Sequence, residues 1–379
     1  MRPPQGLPHP RHARQRQRQR RRPHLNLSPT VVGAGGVAGV IAVVMLLVTV
    51  GLPFGAFAQK QGVGKWSVKC NVVNKAADDP IVFPNQPGRS HLHLFYGNET
   101  VTATMTSTNK LVQGLSDCQK GMGDADHASY WAPALLRNGT PLGGTADALR
   151  IDAYYSRNGL SGQIQPIPLG LRMIAGNSMA QTAQSIDIVH YNCLHFPQGG
   201  QVTGSSANIP SCPAGSYLSG RVDFPNCWNG KDLDSADHKS HMAYATGGHC
   251  DAAHPVELPT VFLRIRWKSA IGVPSSQLSL SSGGQFSLHA DFWNGWSPTV
   301  MKWLVDNCIN TTRECTDISR DQIPVPTGSF PSVNDQALVA AAMAATSTGS
   351  SSGSSGSGTS GGMAMGCTAT ATAAPKSTP

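Results

Sequence analysis

Eight cysteines spread over residues 70–315 set the terms on which this chain can fold. They are Cys70, Cys118, Cys193, Cys212, Cys227, Cys250, Cys308 and Cys315, and none forms the close C-x-x-C pair that a structural zinc site needs. Wide spacing of this kind predicts structural disulfides, each worth about 2–4 kcal/mol, made in an oxidising compartment. Eight cysteines allow about 105 pairings. Proximity favours Cys308 with Cys315, Cys193 with Cys212 and Cys227 with Cys250, leaving Cys70 with Cys118. A ninth, Cys367, stands apart in a tail rich in Ser, Gly and Thr.

The formal charge of +8 is concentrated at one end. Residues 1–22 hold eight of the 29 Lys and Arg and no acid, so the rest carries 21 basic against 21 acidic groups and is neutral. The high pI therefore belongs to a leader, and nucleic acid is not the expected partner of the main domain. After the arginines comes an apolar run over residues 31–52, then Ala56-Phe57-Ala58, the small-x-small pattern of a cleaved secretory signal. The same run is long enough for a retained anchor, which would be the chain's only contact with a membrane. The organisation expected is a leader with signal peptide or anchor over 1–58, one exported β-rich domain over 59–335, and an Ala-rich then Ser/Gly/Thr-rich tail over 336–379. The location expected is extracellular or at the cell surface.

Within the domain, residues 90–96, 100–106, 149–155, 186–192, 261–268 and 285–293 alternate apolar and polar with period two, as half-buried strands do. In 261–268, Val261, Leu263, Ile265 and Trp267 share one face, with Arg264, Arg266 and Lys268 on the other. Helical spacing is clear only over residues 298–309, opened by Pro298. Many short strands, Gly/Pro loops and few helices predict an all-β fold: a disulfide-stapled β-sandwich or jelly roll with long ordered loops and one short C-terminal helix.

Three constellations carry chemistry. In a strand, His91 and His93 project from one face, placed to flank a substrate or share a divalent metal whose further ligands come from elsewhere. Residues 222–242 lack any period and read as a long ordered loop pinned by Cys227; Trp228, Asp232, Asp234, Asp237, His238 and His241 lie in it. In 287–296, His289, Asp291 and Trp293 line one strand face, an arrangement suited to sugar, whose C–H faces stack on indole. Tyr130 and Arg172 are weaker groove candidates. Between residues 59 and 335 there is no nucleophile elbow, phosphate loop, dinucleotide fingerprint or H-E-x-x-H.

Taken together and in order, His91-x-His93-x-Phe95-x-Gly97, Tyr130-Trp131-x-Pro133, Gly170-Leu171-Arg172-Met173, Phe224-Pro225-x-Cys227-Trp228, Asp237-His238-Lys239-Ser240-His241-Met242 and Asp291-Phe292-Trp293-Asn294-Gly295-Trp296 resemble the DUF1996 family over about residues 70–315. Asn229 stands where that family pattern has Asp, and carries no assigned role. The resemblance implies a secreted protein of a family some of whose members are joined to carbohydrate-binding modules, and so a polysaccharide ligand. The expectation is a carbohydrate-active protein cleaving a cell-wall or plant-type polysaccharide, as hydrolase or lyase. His91, His93, Asp237, His238, His241 and Asp291 would form the catalytic groove, with Tyr130, Arg172, Trp228 and Trp293 binding the substrate. A non-catalytic, lectin-like wall protein and a histidine-based metal-binding module are the alternatives.

Overall fold

The computed structural model describes residues 63–119, 122–142, 150–195 and 199–325. The expected leader, signal, tail and Cys367 lie outside the described residues. Among those described, no helix is long and apolar enough to cross a membrane.

The chain is mostly β. The main sheet holds β1 (Lys65–Ala76), β2 (His93–Gly97), β3 (Ser129–Pro133), β4 (Arg150–Ser156), β5 (Arg172–Gly176), β6 (Val189–His195), β7 (Ser216–Asp223), β8 (Thr260–Trp267), β9 (His289–Trp293) and β10 (Glu314–Cys315). Its order is β5-β9-β3-β2-β1-β4-β8-β7-β6, with β10 added in parallel beside the start of β1. All the other pairings are antiparallel, and the sheet curls into a half-barrel. Two three-stranded sheets made from short segments flank it. Among the described residues helices are few: α1 (Thr108–Gln113) is short, and α2 (Pro298–Leu304) runs on through a wider turn over Val305–Ile309 to complete the helix expected over 298–309. The disulfides are Cys70–Cys118, Cys193–Cys212, Cys227–Cys250 and Cys308–Cys315, as proximity predicted. Four such bonds fit an oxidising environment.

β1 is the spine. Lys65–Asn71 pairs with β4, and Val72–Ala76 pairs with β2 after a register shift between Val72 and Asn74. One strand therefore joins two four-stranded halves. Its inward residues Trp66, Val68 and Cys70 are buried, with Trp66 stacked on Tyr155 at 4.6 Å and 4°. Below that stack runs a buried polar chain. Tyr130 Oη donates to Asp126 Oδ2 at 3.0 Å and meets Tyr155 Oη at 2.6 Å, while Trp296 Nε1–H donates to Tyr155 Oη at 2.9 Å.

The second face of β5-β9-β3-β2 is covered too. Segments 77–92 and 98–116 lie over it, setting Ile81, Val101, Met105 and Leu111 against Phe95, Trp131 and Trp293. Both faces are thus packed in this half, which gives the layering of a sandwich. Residues 100–106, expected as a strand, belong to the cover. Val101, Ala103 and Met105 are buried and Thr102, Thr104 and Thr106 exposed, without ladder pairing. Period two there records alternating burial of an extended segment laid on a sheet, not membership of the sheet.

Burial raises the Asp126 carboxyl to about 7 against the bonds from Ala128 N–H and Tyr130 that favour its charge. Because its folded pKa lies above the unfolded 3.8, folding takes up a proton. The associated stability is complete below pH 3.8 and is lost as pH rises through about 7. Asp126→Asn removes that titration: wild type will lose stability relative to the variant between acidic and neutral pH, as read from denaturant midpoints. A difference that is flat with pH contradicts this account.

Candidate metal centre

The register of β2, β3, β9 and β5 brings the chemistry to one place. Phe95 lies opposite Trp131, Trp131 opposite Asp291, and Trp293 opposite Arg172. With side chains alternating, His93, Asp291, His289, Trp293 and Arg172 all point to the face beneath the cover, while Leu94, Tyr130, Ala290 and Phe292 point to the main core. His91, just before β2, continues the row of His93.

Three imidazoles converge there. His91 Nε2 is 3.1 Å and His93 Nε2 3.3 Å from His289 Nε2. The Nδ1 of His93 lies 2.8 Å from the Asp78 carbonyl, and that of His289 lies 2.9 Å from the Ser287 carbonyl. A carbonyl only accepts, so both Nδ1 atoms carry the proton and both Nε2 atoms present lone pairs to each other. Burial holds all three rings neutral: His91 falls to about 3, aided by His289, His289 falls to about 4, and His93 falls well below the ordinary value. One N–H from His91 can satisfy the 3.1 Å gap. The 3.3 Å gap remains lone pair against lone pair.

Two carboxylates complete the cluster. Ligand atoms of Asp79, His93 and Asp291 lie within 4.8 Å of one another. Asp79 Oδ1 accepts from Ile81 N–H and Val82 N–H, which fixes it in the cover. Asp291 is buried, and its Oδ2, 4.0 Å from His289 Nε2, has no hydrogen-bond partner. Burial pushes Asp79 up to about 6, and burial reinforced by Asp79 pushes Asp291 well above the carboxylate range. Two close, dry carboxyl groups cannot both ionise without a cation.

A second rank of residues braces one side. Arg172 lies over Trp293 at 4.3 Å, pairs with Asp234 Oδ2 at 3.1 Å and donates to the Thr106 carbonyl at 3.1 Å, so it ties sheet, loop and cover together. His238, held at φ 58°, meets the other Asp234 oxygen at 2.9 Å, a bond that raises its pKa.

The remaining expected site residues do other work. Asp237 is exposed, and its Oδ1 accepts from Ser235 and Ser240 hydroxyls and from the Lys239 and Ser240 amides; led by Ser235, these bonds hold it ionised, as a turn cap. His241 Nε2–H donates to the Arg172 carbonyl at 2.7 Å, with Nδ1 2.8 Å from Ser235 Oγ, which ties the loop to β5. Tyr130 and Trp293 have no exposed ring surface and so offer no stacking face; Arg172 itself covers the indole of Trp293. Trp228 is half-buried, with its N–H given to the Asp232 carbonyl. His289 and Asp79 were not among the expected catalytic or metal-binding residues. The period-two face shared by His289 and Asp291 was the available signal for the first; Asp79 sits in an aperiodic stretch that carries none.

The family model for a domain of unknown function, DUF1996, matches residues 79–296, more than half of the chain. The match opens on Asp79 and runs past Asp291, so every member of the cluster falls inside it. No curated protein and no solved structure matches the chain. The matched span and the motifs along it establish that this chain belongs to the DUF1996 family.

Proposed function

We propose that this is an exported, divalent-metal-dependent enzyme acting on a polysaccharide, with His91, His93 and His289 as metal ligands and Asp291 as the general base. One observation carries the metal: two Nε2 lone pairs face each other at 3.3 Å, each locked in that tautomer by a carbonyl on its own Nδ1. That is the outer support that metal-ligating histidines have, and a shared cation resolves the conflict between two neutral rings. Three histidines are the donor set of catalytic zinc-type sites, whereas closed structural sites use four protein ligands.

When bound, such an ion supplies a Lewis acid and a water acidified towards neutral pH. The protein's own groups do the rest. Asp291 Oδ2 is unpartnered and positioned beside the imidazoles to take a proton. Asp79, tethered by two amides, keeps a second carboxyl within reach of His93. Arg172 and His238 fix the wall through Asp234. The polysaccharide substrate rests on the family resemblance, and water as the attacking group favours hydrolysis over elimination. The oxidising environment fitted by four disulfides supports action outside the cytoplasm. The lectin-like alternative loses two of its stacking rings to burial.

Full-length protein dialysed against a strong chelator and titrated with zinc, manganese or copper ions will take up one ion per chain. His289→Ala will lower that affinity by at least about 100-fold. Stoichiometric uptake unchanged in His289→Ala removes the assignment of the ligands.

Product analysis on a polysaccharide panel separates the two carboxylates proposed at sequence level. Asp291→Asn will reduce turnover by about 10²–10⁴ while metal is retained. Asp237→Asn will leave turnover within about twofold and speed amide exchange over residues 235–242. Equal loss of turnover in both variants contradicts the distinction, and metal uptake with no product from any polymer restores the non-catalytic metal module.

A further inference from the structure

The other half of the sheet presents its outward face in a different chemical character. Lateral register places Lys69, Asp152, Arg264 and Arg221 in one line across β1, β4, β8 and β7. The neighbouring line holds Arg150 and Arg266. Lys65, at the edge, is spoken for by Glu314 at 3.1 Å. The remaining outward positions of these strands carry five cations against two carboxylates, in a chain that is neutral outside its first 22 residues.

Both carboxylates are already occupied. Asp152 is fully buried under Arg266, with Arg150 at 3.8 Å, and Asp223 receives both a 2.6 Å bond from Arg221 Nε and one from its Nη2. Lys69 Nζ and the Arg264 guanidinium have no carboxylate partner among the described residues, and both are half-exposed. The arginines are also held still. Arg221 lies 3.7 Å over Phe262 and Arg264 5.3 Å over Tyr154, and those two rings stack at 4.6 Å and 10°. Guanidiniums fixed by aromatic rings lose little entropy on gripping a carboxylate, and Arg264, unlike Arg221, has no carboxylate partner yet.

We infer that this face is a second binding site, distinct from the histidine centre, for an anionic polysaccharide bearing uronate carboxylates. Such a polymer presents one carboxylate per acidic sugar at regular intervals, which suits cations set at strand spacing on neighbouring strands. Single-stranded nucleic acid fits less well. It needs open aromatic faces for its bases, whereas Phe262 is buried and Tyr154 lies against it.

The test is retention of full-length protein on immobilised polygalacturonate at low and at high salt, beside neutral dextran and a single-stranded DNA oligomer. Expected are salt-sensitive binding to polygalacturonate, none to dextran, and weaker binding to DNA. Lys69→Ala with Arg264→Ala will weaken polygalacturonate binding by about tenfold, and Lys69→Glu alone will weaken it without touching the Arg264–Tyr154 contact. Metal uptake will stay as in wild type, which keeps this site separate from the histidine centre and certifies the fold. Undiminished binding in both variants, equal retention on dextran, no retention at all, or tighter binding to DNA each overturns the assignment.

Discussion

Everything in this fold hangs from a strand that serves both halves of the main sheet at once. β1 runs twelve residues, about 40 Å at the usual rise, and gives its first part to β4 and its last part to β2. The register shift between Val72 and Asn74 bends it where one half hands over to the other. That joint is fastened from the side: Cys70 is bonded to Cys118, and Asn71 is held by Asp117 through both its amide and its side chain. Without this handover the two halves would be separate four-stranded sheets, each with an open edge.

The two halves then diverge in what their outward faces do. One is sealed by segments 77–92 and 98–116, and sealing is what makes its polar groups potent. An imidazole or carboxyl in water is indifferent to its neighbours; the same groups beneath Ile81 and Met105 must find partners or change protonation state. The centre gathers three imidazoles and two carboxyls in a dry layer and leaves an oxygen and a nitrogen pair unsatisfied. Trp131 and Trp293 lack partners for their N–H groups in the same layer. Elsewhere the core resolves similar demands, as the chain Asp126–Tyr130–Tyr155–Trp296 does by bonding end to end.

How much of this could be read from the sequence follows from burial. Strands β4, β6 and β8, with one face on the core and one outside, showed their alternation clearly. β3, all five of whose residues are buried, did not, because its Tyr130-Trp131-Ala132 run gives no alternation. β1 carries the same pattern, with Trp66, Val68, Cys70 and Val72 alternating with Lys65, Ser67, Lys69 and Asn71, yet it is absent from the strands expected above. The disulfides were legible because each joins two cysteines that follow one another in the sequence. The pair His91 and His93 was legible from local spacing, and His289 shared a recognisable face with Asp291; what sequence could not supply was the register that laid β9 beside β3 and so brought His289 to His93. Asp237 attracted attention through the density of polar residues around it, and that density proved to be a loop bonding to itself.

The Cys70–Cys118 bond closes a ring of chain, and the membership of that ring is instructive. Asp79, His91 and His93 lie inside it together with the whole cover, whereas His289 and Asp291 arrive from a strand formed almost two hundred residues later. The five side chains therefore meet by docking a cross-linked loop against an independent strand. A newly made, reduced chain has no such ring, and its first three members float on a long tether. Oxidation thus narrows the conformations from which the five groups must converge.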